Sequence, residues 1–469
     1  MKNFLQRRSF LKASALIGSA LGWSRSEAFA AATAIETQIE RAHLAPKPVG
    51  KSVIGLKTPP IAQVRVGVIG VGNRGSFHVK LLHACGTKAK IVAVCDIREE
   101  KVNKTKEWLE KQGVKDVTYY HTKPDAWKEM CRRDDLDLVL IATPWEDHTP
   151  MCVYAMQQGK HGATEVPAAY TLDDCWKLVN TAEQTQRNCI MLENVCYGDE
   201  ELWLLNMAHQ GVFGTLTYAE CAYIHDLRES LFSKTTYYNQ WRIRHNLARA
   251  GNLYPMHGLG PVAQYMNIDR GDRFKHLVAM SSLEASLSED SNVLADPTNE
   301  FYNRKNFKRG DMSNTLIQTH LGRTILVQHD VVTARPYSRI NALAGTKAFH
   351  TGYPSRMSMK GKGHEFLKDE DYKALKEQYK HPIWEKMKAE IAKNGGHGGM
   401  DFVLIYRLID SFNRGVPLDM DVYDAAGWSS VTPLSALSIE GGNVPVKFPD
   451  FTRGRWQEAR KLGILTDVK

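Results

Sequence analysis

The sequence predicts an α/β fold that begins with a Rossmann-type domain, in which a parallel sheet is covered by helices on both faces. Residues 64–75, VRVGVIGVGNRG, form an apolar strand that runs into glycines spaced G-x-G-x-x-G. Continuous apolar segments then alternate with amphipathic ones, as in parallel sheets with helical crossovers. With 469 residues, the chain has room for two or three domains, each with its own core.

The glycine turn is the first candidate site. Gly70, Gly72 and Gly75 give a turn in which backbone amides and a helix N-terminus face a pyrophosphate. The next apolar strand ends in Asp96, where a carboxylate can accept hydrogen bonds from an adenosine ribose. The pattern predicts a dinucleotide site and favours NAD over NADP, although nearby Arg98 leaves phosphate selectivity open.

The Rossmann domain is predicted over residues 63–195. Its strands are expected at residues 64–69, 91–96, near 118, 137–143, just before 165, and 188–192. Its helices are expected at residues 76–84, 99–111, 124–132, 149–158 and 172–186. Ligands of such sheets lie beyond the carboxyl ends of the strands, so residues that follow a strand are the candidates for binding.

Two of these strand ends carry side chains suited to a cofactor. Trp145 and His148 follow the fourth strand and are predicted to stack on and hydrogen-bond the nicotinamide end. The alternative is a core tryptophan beside a structural histidine at the start of a helix. Glu165 and Val166 follow the next strand, and Asn194 follows the sixth.

The N-terminus predicts an export signal. Arg7 and Arg8 precede an apolar run at residues 13–23 and a small-residue cleavage site at 28–30, which resembles a twin-arginine signal over residues 1–30. The mature protein is therefore expected to be soluble and periplasmic or secreted, with no transmembrane segment. Residues 31–62, which contain four prolines and little periodicity, are predicted to be a linker or arm.

Charge and cysteine content exclude several classes of protein. The net charge of +9 owes much to the leader, and no Lys/Arg block indicates a nucleic-acid partner. The eight cysteines form no C-x-x-C motif, and no cluster has metal-ligand spacing, so we expect few or no disulfides and no metal.

The second domain is predicted over residues 196–469. Trp241 and Arg242 suit a sugar site, and His257 lies close to Tyr254 at a helix entry. Strands are expected at residues 216–225, 276–287, 313–321 and 324–333, and a helix at 402–412. The glycine-dense segment 395–400, which precedes Asp401, is either a loop over the active site or a plain flexible loop.

Together these motifs are similar to those of the Gfo/Idh/MocA oxidoreductases. The glycine turn, strand-end Asp96, T-P-x-x-x-H at residues 143–148 and E-x-P at 165–167 occur in that order. The resemblance implies a second domain of α+β type on an open, mostly antiparallel sheet, with oligomerisation as a further possibility. The usual motif of that family is E-K-P, and its lysine takes part in substrate oxidation. This sequence has Val166 in place of the lysine.

The variant motifs resemble glycoside hydrolase family 109. These are E-V-P-A, the twin-arginine leader, Asn73-Arg74 and Tyr254-Pro255-Met256-His257, and the resemblance covers nearly the whole mature chain. Its members are α-N-acetylgalactosaminidases that bind NAD tightly and recycle it. The resemblance implies hydride removal from C3 of a terminal sugar, loss of the C2 proton, expulsion of the C1 substituent, addition of water and return of the hydride.

The resemblance also implies roles for individual residues. His257 would be the base for the 3-hydroxyl, Tyr254 or Tyr197 would handle the C2 proton, and Glu165 would orient groups near the nicotinamide. The implied cofactor residues are Gly70, Gly72, Asn73, Arg74, Asp96, Trp145, His148, Glu165, Val166 and Asn194. The implied sugar residues, for a glycan that ends in N-acetylgalactosamine, are Tyr223, Arg242, Tyr254, His257 and Tyr337.

Two other functions stay open. One is a periplasmic NAD(P)-dependent sugar oxidoreductase, which would be expected to keep the lysine that is missing at Val166. The other is a noncatalytic sugar- or nucleotide-binding protein, which the density of histidine and tyrosine at predicted strand ends disfavours.

Overall fold

The computed structural model describes residues 25–467, and the chain enters through a helix. Helix α1 spans Arg25–Arg41. The export signal predicted for residues 1–30 lies almost wholly outside the described residues. The prediction of an arm without regular structure is wrong for residues 31–41, because Ala32 is buried and Ile39 packs against the core of the second domain.

The first sheet has six strands in the order β3-β2-β1-β4-β5-β6, and every neighbouring pair is parallel. The predicted Rossmann-type domain is confirmed. The strand order reverses between β1 and β4, where a crevice forms beyond the carboxyl ends of the strands. The strands are β1 Val64–Ile69, β2 Ala89–Cys95, β3 Thr118–Tyr120, β4 Leu138–Ile141, β5 His161–Thr164 and β6 Cys189–Met191.

The helices between these strands match the expected positions, although α5 begins four residues earlier than predicted. They are α2 Asn73–Ala84, α3 Glu99–Lys111, α4 Ala126–Cys131, α5 Trp145–Gln157 and α6 Leu172–Thr185. Thr171 caps α6 by accepting a hydrogen bond from the backbone of Asp174. The early start of α5 places Trp145 and His148 inside its first turn rather than in a loop.

The second sheet has eight strands in the order β13-β12-β11-β7-β10-β9-β8-β14. Only β7 and β10 pair in parallel, so the implied open, mostly antiparallel sheet is confirmed. The strands are β7 Leu216–Ile224, β8 Phe274–Ser281, β9 Ser313–Thr319, β10 Thr324–Asp330, β11 Ala342–Gly345, β12 Ala348–Thr351, β13 Arg356–Met359 and β14 Val446–Lys447.

The strand predicted for residues 276–287 ends early, at Ser281. Residues 286–292 are helical instead, because the Asp311 carboxylate accepts hydrogen bonds from the backbone and hydroxyl of Ser286 at the start of that turn. The helices of this half are α7 Asp199–His209, α8 Arg228–Phe232, α9 Trp241–Ala248, α10 Met256–Tyr265, α11 Ser286–Asn292, α12 Asp369–Tyr379, α13 Pro382–Lys386, α14 Lys388–Asn394, α15 Met400–Arg414, α16 Val422–Ser429, α17 Val431–Glu440 and α18 Gly463–Thr466.

Residues 42–63 contain no helix or strand and tie the two halves together. The backbone N–H of Val53 donates to the hydroxyl of Tyr423 at 3.1 Å. The backbone N–H of Ile61 donates to the carbonyl of Phe412 at 3.0 Å. These contacts anchor the segment to helices of the second domain directly before β1 begins.

All eight cysteines are buried with free thiols. Between residues 25 and 467, no helix is both long and apolar enough to cross a bilayer.

Candidate active site

The turn between β1 and α2 forms a cradle that only glycine permits. Gly70 has φ of +81°, and a Cβ on it would lie 2.8 Å from the carbonyl oxygen of Ala142. A Cβ on Gly75 would lie 1.7 Å from the carbonyl oxygen of Gly70. The close backbone approach and the following N-terminus of α2 fit the pyrophosphate of a dinucleotide.

Asp96 stiffens this cradle from the end of β2. One carboxylate oxygen accepts the N–H of Val71 at 2.8 Å, and the other accepts the N–H of Arg98 at 2.9 Å. The Arg98 guanidinium lies 4.5 Å from the centre of the Tyr238 ring. Because each carboxylate oxygen can accept two hydrogen bonds, Asp96 keeps acceptor capacity for a ribose.

A cavity of about 700 Å³ opens between this cradle and the second domain. Eleven of the predicted site residues line it, together with the segment 235–239 from the second domain. Those eleven are Gly70, Gly72, Asn73, Arg74, Asp96, Trp145, His148, Glu165, Val166, Arg242 and Tyr254. Within residues 25–467, no group of three or more His, Cys, Asp or Glu residues can hold a metal ion.

Glu165 is ionised in a buried network on the floor of this cavity. Arg74 Nε donates to its carboxylate at 2.9 Å, and His78 Nε2 lies 2.6 Å from the same oxygen. Burial alone would raise the pKa of Glu165, but the Arg74 charge and the His78 contact hold that pKa well below its usual value. Val166 follows Glu165 in the chain and is buried. Its side chain is apolar at the position that the lysine takes in the E-K-P motif.

Arg74 also reaches across to the second domain. Its two terminal nitrogens each donate to Asp401 at 3.2 Å, and Asn194 Nδ2 donates to Asp401 at 2.7 Å. His397, on the glycine-dense segment, lies 2.7 Å from the same carboxylate. Burial raises the pKa of Asp401, but His397 and Arg74 hold that pKa well below its usual value. Asn194 therefore positions Asp401 rather than lining the cavity.

His148 is buried, with both ring nitrogens close to backbone carbonyl oxygens. Nδ1 lies 2.7 Å from the oxygen of Pro167, and Nε2 lies 2.8 Å from that of Thr143. Burial lowers the pKa of His148. Neither nitrogen is presented to the cavity as a free donor, so the geometry favours the alternative of a structural histidine that fixes the start of α5.

Arg242 is enclosed by aromatic rings. Its guanidinium lies 5.1 Å from the Trp145 ring, 5.1 Å from the Tyr237 ring and 5.0 Å from the Tyr254 ring. One terminal nitrogen donates to the Tyr237 hydroxyl at 2.9 Å, whereas the other is buried with no partner. That unsatisfied donor indicates a polar group that arrives with the ligand.

His257 forms a pair with the fully buried Glu193. Its Nδ1 lies 2.8 and 2.9 Å from the two carboxylate oxygens of Glu193. A carboxylate at this position holds the proton on Nδ1, which leaves the lone pair on Nε2. The Tyr254 ring stands perpendicular to the imidazole at 4.9 Å, and the Tyr223 ring lies at 5.3 Å.

The rings of Tyr254 and Tyr223 form an aromatic wall beside His257, and Tyr337 extends this wall. Tyr223 is buried, and burial raises its pKa to about 12. Tyr337 is 41% exposed, with its ring centre 6.4 Å from that of Tyr223. The Tyr337 hydroxyl accepts a hydrogen bond from Arg339 at 2.8 Å. The wall thus runs from the buried histidine pair to the surface.

Tyr197 lies outside this cavity, which disfavours the catalytic role implied for it. Its hydroxyl donates to Asp419 at 3.2 Å, and Arg407 holds the same carboxylate at 2.7 and 2.9 Å. The Tyr197 ring is buried and does not line the cavity. The short turn before α7 directs this side chain into the core beneath α15.

Sequence reasoning missed two residues that organise the site, Glu193 and Asp401. In the sequence, Asp401 stands out only as the residue that follows the glycine-dense segment, yet its side chain crosses the domain interface. Glu193 directly precedes the predicted Asn194 at the end of β6, and its position past a strand end was the available signal. Its pairing with His257, 64 residues later, has no sequence signature.

The fold and the cradle define an NAD-binding, two-domain protein of the oxidoreductase type. Residues 64–193 match the family model "Oxidoreductase family, NAD-binding Rossmann fold". A levoglucosan dehydrogenase solved with NADH superposes with a TM-score of 0.61 at 14% identity, covering 83% of this chain and all of that one. An inositol dehydrogenase homologue from Azotobacter vinelandii, solved with NAD⁺, superposes with a TM-score of 0.60 at 16% identity. The match covers 84% of this chain and 99% of that one. These likenesses concern the fold alone.

The second half identifies the family. Residues 197–458 match the family model "Glycosyl hydrolase 109, C-terminal domain". A glycosyl hydrolase family 109 protein from Solibacter usitatus is 46% identical over 96% of this chain and 98% of its own length. A Shewanella oneidensis protein named alpha-N-acetylgalactosaminidase is 44% identical over 98% of this chain and 99% of its own length. The chain belongs to glycoside hydrolase family 109 and is an enzyme of that family with an NAD-binding domain.

Proposed function

We propose that this enzyme releases terminal α-linked N-acetylgalactosamine from glycans without net oxidation. The Glu193–His257 pair carries the proposal, since it places a candidate base on an aromatic wall beside the cofactor cavity. The relative named alpha-N-acetylgalactosaminidase supports the same substrate. The apolar Val166, in place of a lysine, disfavours a plain sugar dehydrogenase.

The residues around the cradle fit NAD. Gly70 and Gly72 would admit the pyrophosphate, Asp96 would accept from the ribose, and Arg74, Glu165 and Val166 would lie along the nicotinamide end. Bound NAD supplies a hydride acceptor that gives the hydride back within the same turnover. This recycling suits an enzyme that works where free nucleotide is scarce.

His257 is the proposed base for a hydroxyl of the terminal sugar. Its Nε2 carries the lone pair, because Glu193 holds the proton on Nδ1 at 2.8 Å. When Nε2 takes up the hydroxyl proton, the buried carboxylate stabilises the imidazolium that forms. The proton then returns from Nε2 in the second half of the cycle.

Tyr254 is the proposed relay for the proton that leaves carbon. Burial raises its pKa well above the usual value, so the phenol is neutral. In the proposed elimination its oxygen takes up the C2 proton while its own hydroxyl proton passes to the departing C1 oxygen, so Tyr254 is neutral before and after the step. The nearby Arg242 guanidinium, 5.0 Å from the Tyr254 ring, opposes that rise in pKa. Arg242 itself, with Tyr223 and Tyr337, is proposed to hold the sugar, and its unpartnered nitrogen would donate to a substrate oxygen.

The decisive assay uses protein purified without added nucleotide and p-nitrophenyl α-N-acetylgalactosaminide as substrate. Nitrophenol release without NADH accumulation is the expected result. Steady NADH formation from free sugar and added NAD, with no nitrophenol, would overturn the proposal and make the protein a dehydrogenase. The β-anomer and the glucosaminide are the matched controls for specificity.

We also propose export through the twin-arginine route, with residues 1–30 removed. The remaining chain would consist of the end of α1 and a connecting segment up to residue 62, an NAD domain at 63–195 and a substrate domain at 196–469. Cleavage after Ala30 would shorten α1, which runs through that position. Fractionation of cells that express the full chain tests this. Replacement of Arg7 and Arg8 by lysine should retain the protein in the cytoplasm, and periplasmic recovery of that variant would count against the route.

A further inference from the structure

A second cavity lies at the β8–β14 edge of the large sheet. Its volume is about 800 Å³, and it shares no lining residue with the cavity between the domains. It is formed by Arg273, Lys275 and His276 at the start of β8, by the segment 445–457, and by single histidines from two other segments. The side chains that matter here are Arg273, Lys275, Lys447, Asp450, Trp456 and the histidines at 43, 276 and 320.

The lining is strongly basic. Arg273, Lys275 and Lys447 contribute three cations, against Asp450 as the single acid. Asp450 is engaged in its own turn, where it accepts the N–H of Thr452 at 3.0 Å and of Gly454 at 2.7 Å. Among the residues that the structure describes, neither lysine forms a salt bridge. The positive charge of the cavity is therefore largely uncompensated.

The guanidinium of Arg273 is incompletely satisfied. Its nearest carboxylate oxygen, on Asp450, is 3.8 Å away, and its Nε is buried with no hydrogen-bond partner in the described part of the chain. A buried donor without a partner is costly, and an acceptor on a ligand would satisfy it. The same excess of charge acts on His276, whose pKa is lowered by burial and by Lys275.

Trp456 gives the cavity an aromatic wall. Its ring centre lies 4.8 Å from that of His320, and the Arg273 guanidinium sits 5.7 Å from it. The Trp456 side chain is partly exposed. An indole beside cationic groups combines a face for sugar C–H groups with donors for an acidic substituent.

We propose that this cavity is a noncatalytic subsite for an anionic saccharide, a sugar that carries a sulfate or carboxylate group. Its volume falls within the range of small-ligand pockets, about 300 to 1,000 Å³. A nucleic acid fits less well, since it needs an extended basic track with several stacking platforms. The subsite would retain the enzyme on acidic glycans while the other cavity acts on a chain end.

Calorimetric titration of the full-length protein with a sulfated chondroitin disaccharide tests this. We expect binding by the native protein and at least a tenfold loss in a Lys275→Ala/Lys447→Ala variant. The control, Lys373→Ala/Lys388→Ala, removes the same charge from exposed helix positions and should bind as the native protein does. Turnover of the nitrophenyl substrate should be unchanged in both, which separates this test from that of the proposed function.

Three further probes distinguish the ligand chemistries. A neutral disaccharide, N-acetyllactosamine, should bind at least tenfold more weakly than the sulfated chondroitin disaccharide, and inorganic sulfate should compete only weakly. Trp456→Ala should weaken the disaccharide but leave the affinity for inorganic sulfate unchanged. Equal binding of the neutral sugar, sulfate binding as tight as the disaccharide, tighter binding of a single-stranded oligonucleotide, or equal loss in the control variant would each overturn the proposal.

Discussion

A histidine works as a base at neutral pH only if its surroundings fix which nitrogen carries the proton. In this site Glu193 does so through two contacts with His257 Nδ1, at 2.8 and 2.9 Å. The sequence predicts His257 as the base but says nothing about the carboxylate that orients it. The two residues come from different domains, at the end of β6 and in the first turn of α10.

Replacement of His257 by alanine should lower kcat/KM for the nitrophenyl substrate by about 10² to 10⁴, the usual contribution of a general base. Glu193→Gln should also lower it, because an amide does not hold the proton on Nδ1 as a carboxylate does. Bound NAD, measured after denaturation, should stay equal to that of the native enzyme in the His257 variant. Normal turnover by His257→Ala would refute the assignment.

Arg242→Lys keeps the charge and removes the planar group that three aromatic rings enclose. Since one guanidinium nitrogen has no protein partner, its partner is expected to be a substrate oxygen. Loss of that bond should cost about 1 to 3 kcal/mol, so KM should rise about 5- to 150-fold. Tyr337→Phe, at the exposed end of the wall, is the comparison and should change KM much less. An unchanged KM in Arg242→Lys would contradict the proposed contact.

At the scale of elements, helix α15 joins the two domains at the cofactor cradle. Asp401, in its first turn, binds Arg74 at the start of α2 and Asn194 after β6. The glycine-dense segment before α15 brings His397 onto the same carboxylate. The alternative of a loop near the active site is therefore favoured over that of a plain flexible loop.

Asp401→Asn should destabilise the fold at neutral pH by about 1 to 3 kcal/mol, as measured by urea unfolding. Folding holds the pKa of Asp401 and of Glu165 well below their usual values. Such carboxylates stabilise the fold above their unfolded pKa, about 4, and this contribution is lost as the pH falls toward the folded values. The difference in free energy of unfolding between the variant and the native protein should therefore be smaller at about pH 3 than at neutral pH.

The exposed pair Lys362–Asp371 provides the control for that experiment. Asp371→Asn should change stability by less than about 1 kcal/mol at either pH. If Asp401→Asn were equally harmless at neutral pH, the interdomain network would not be a stabilising feature. A difference that grew on acidification would contradict the sign of the pKa shifts.

Sequence patterns predicted the first sheet well because its apolar strands are separated by helices of clear periodicity. Both ends of helix α3, at Glu99 and Lys111, match the predicted range. Strands β11 to β14 were missed because they have only four or two residues, too few to display alternation. The equally short β4 and β5 were predicted because helices of clear periodicity flank them, whereas no helix separates β11, β12 and β13. Motif residues such as Arg74 and His257 were found, whereas their partners Asp401 and Glu193 were not, because contacts over long chain separations leave no local pattern.

At the scale of the whole molecule, both domains line the cofactor cavity. The glycine cradle and α5 form one wall, and segment 235–242 with Tyr254 forms the other. The Arg74–Asp401 contacts and the segment 42–63 hold these halves together. A dinucleotide seated on the cradle would contact both halves, and contacts from both domains would slow its release.

We therefore expect NAD to remain bound through purification. Protein prepared without added nucleotide should release an equimolar amount of NAD on acid denaturation, measured by an enzymatic cycling assay. Exchange with isotopically labelled NAD should be slow in the native enzyme and faster in Asp401→Asn, because that variant loses the charge pair across the interface. Asp371→Asn, far from the interface, should exchange at the native rate. Nucleotide-free protein that gains activity only on addition of NAD would contradict the expected retention of NAD by contacts from both domains.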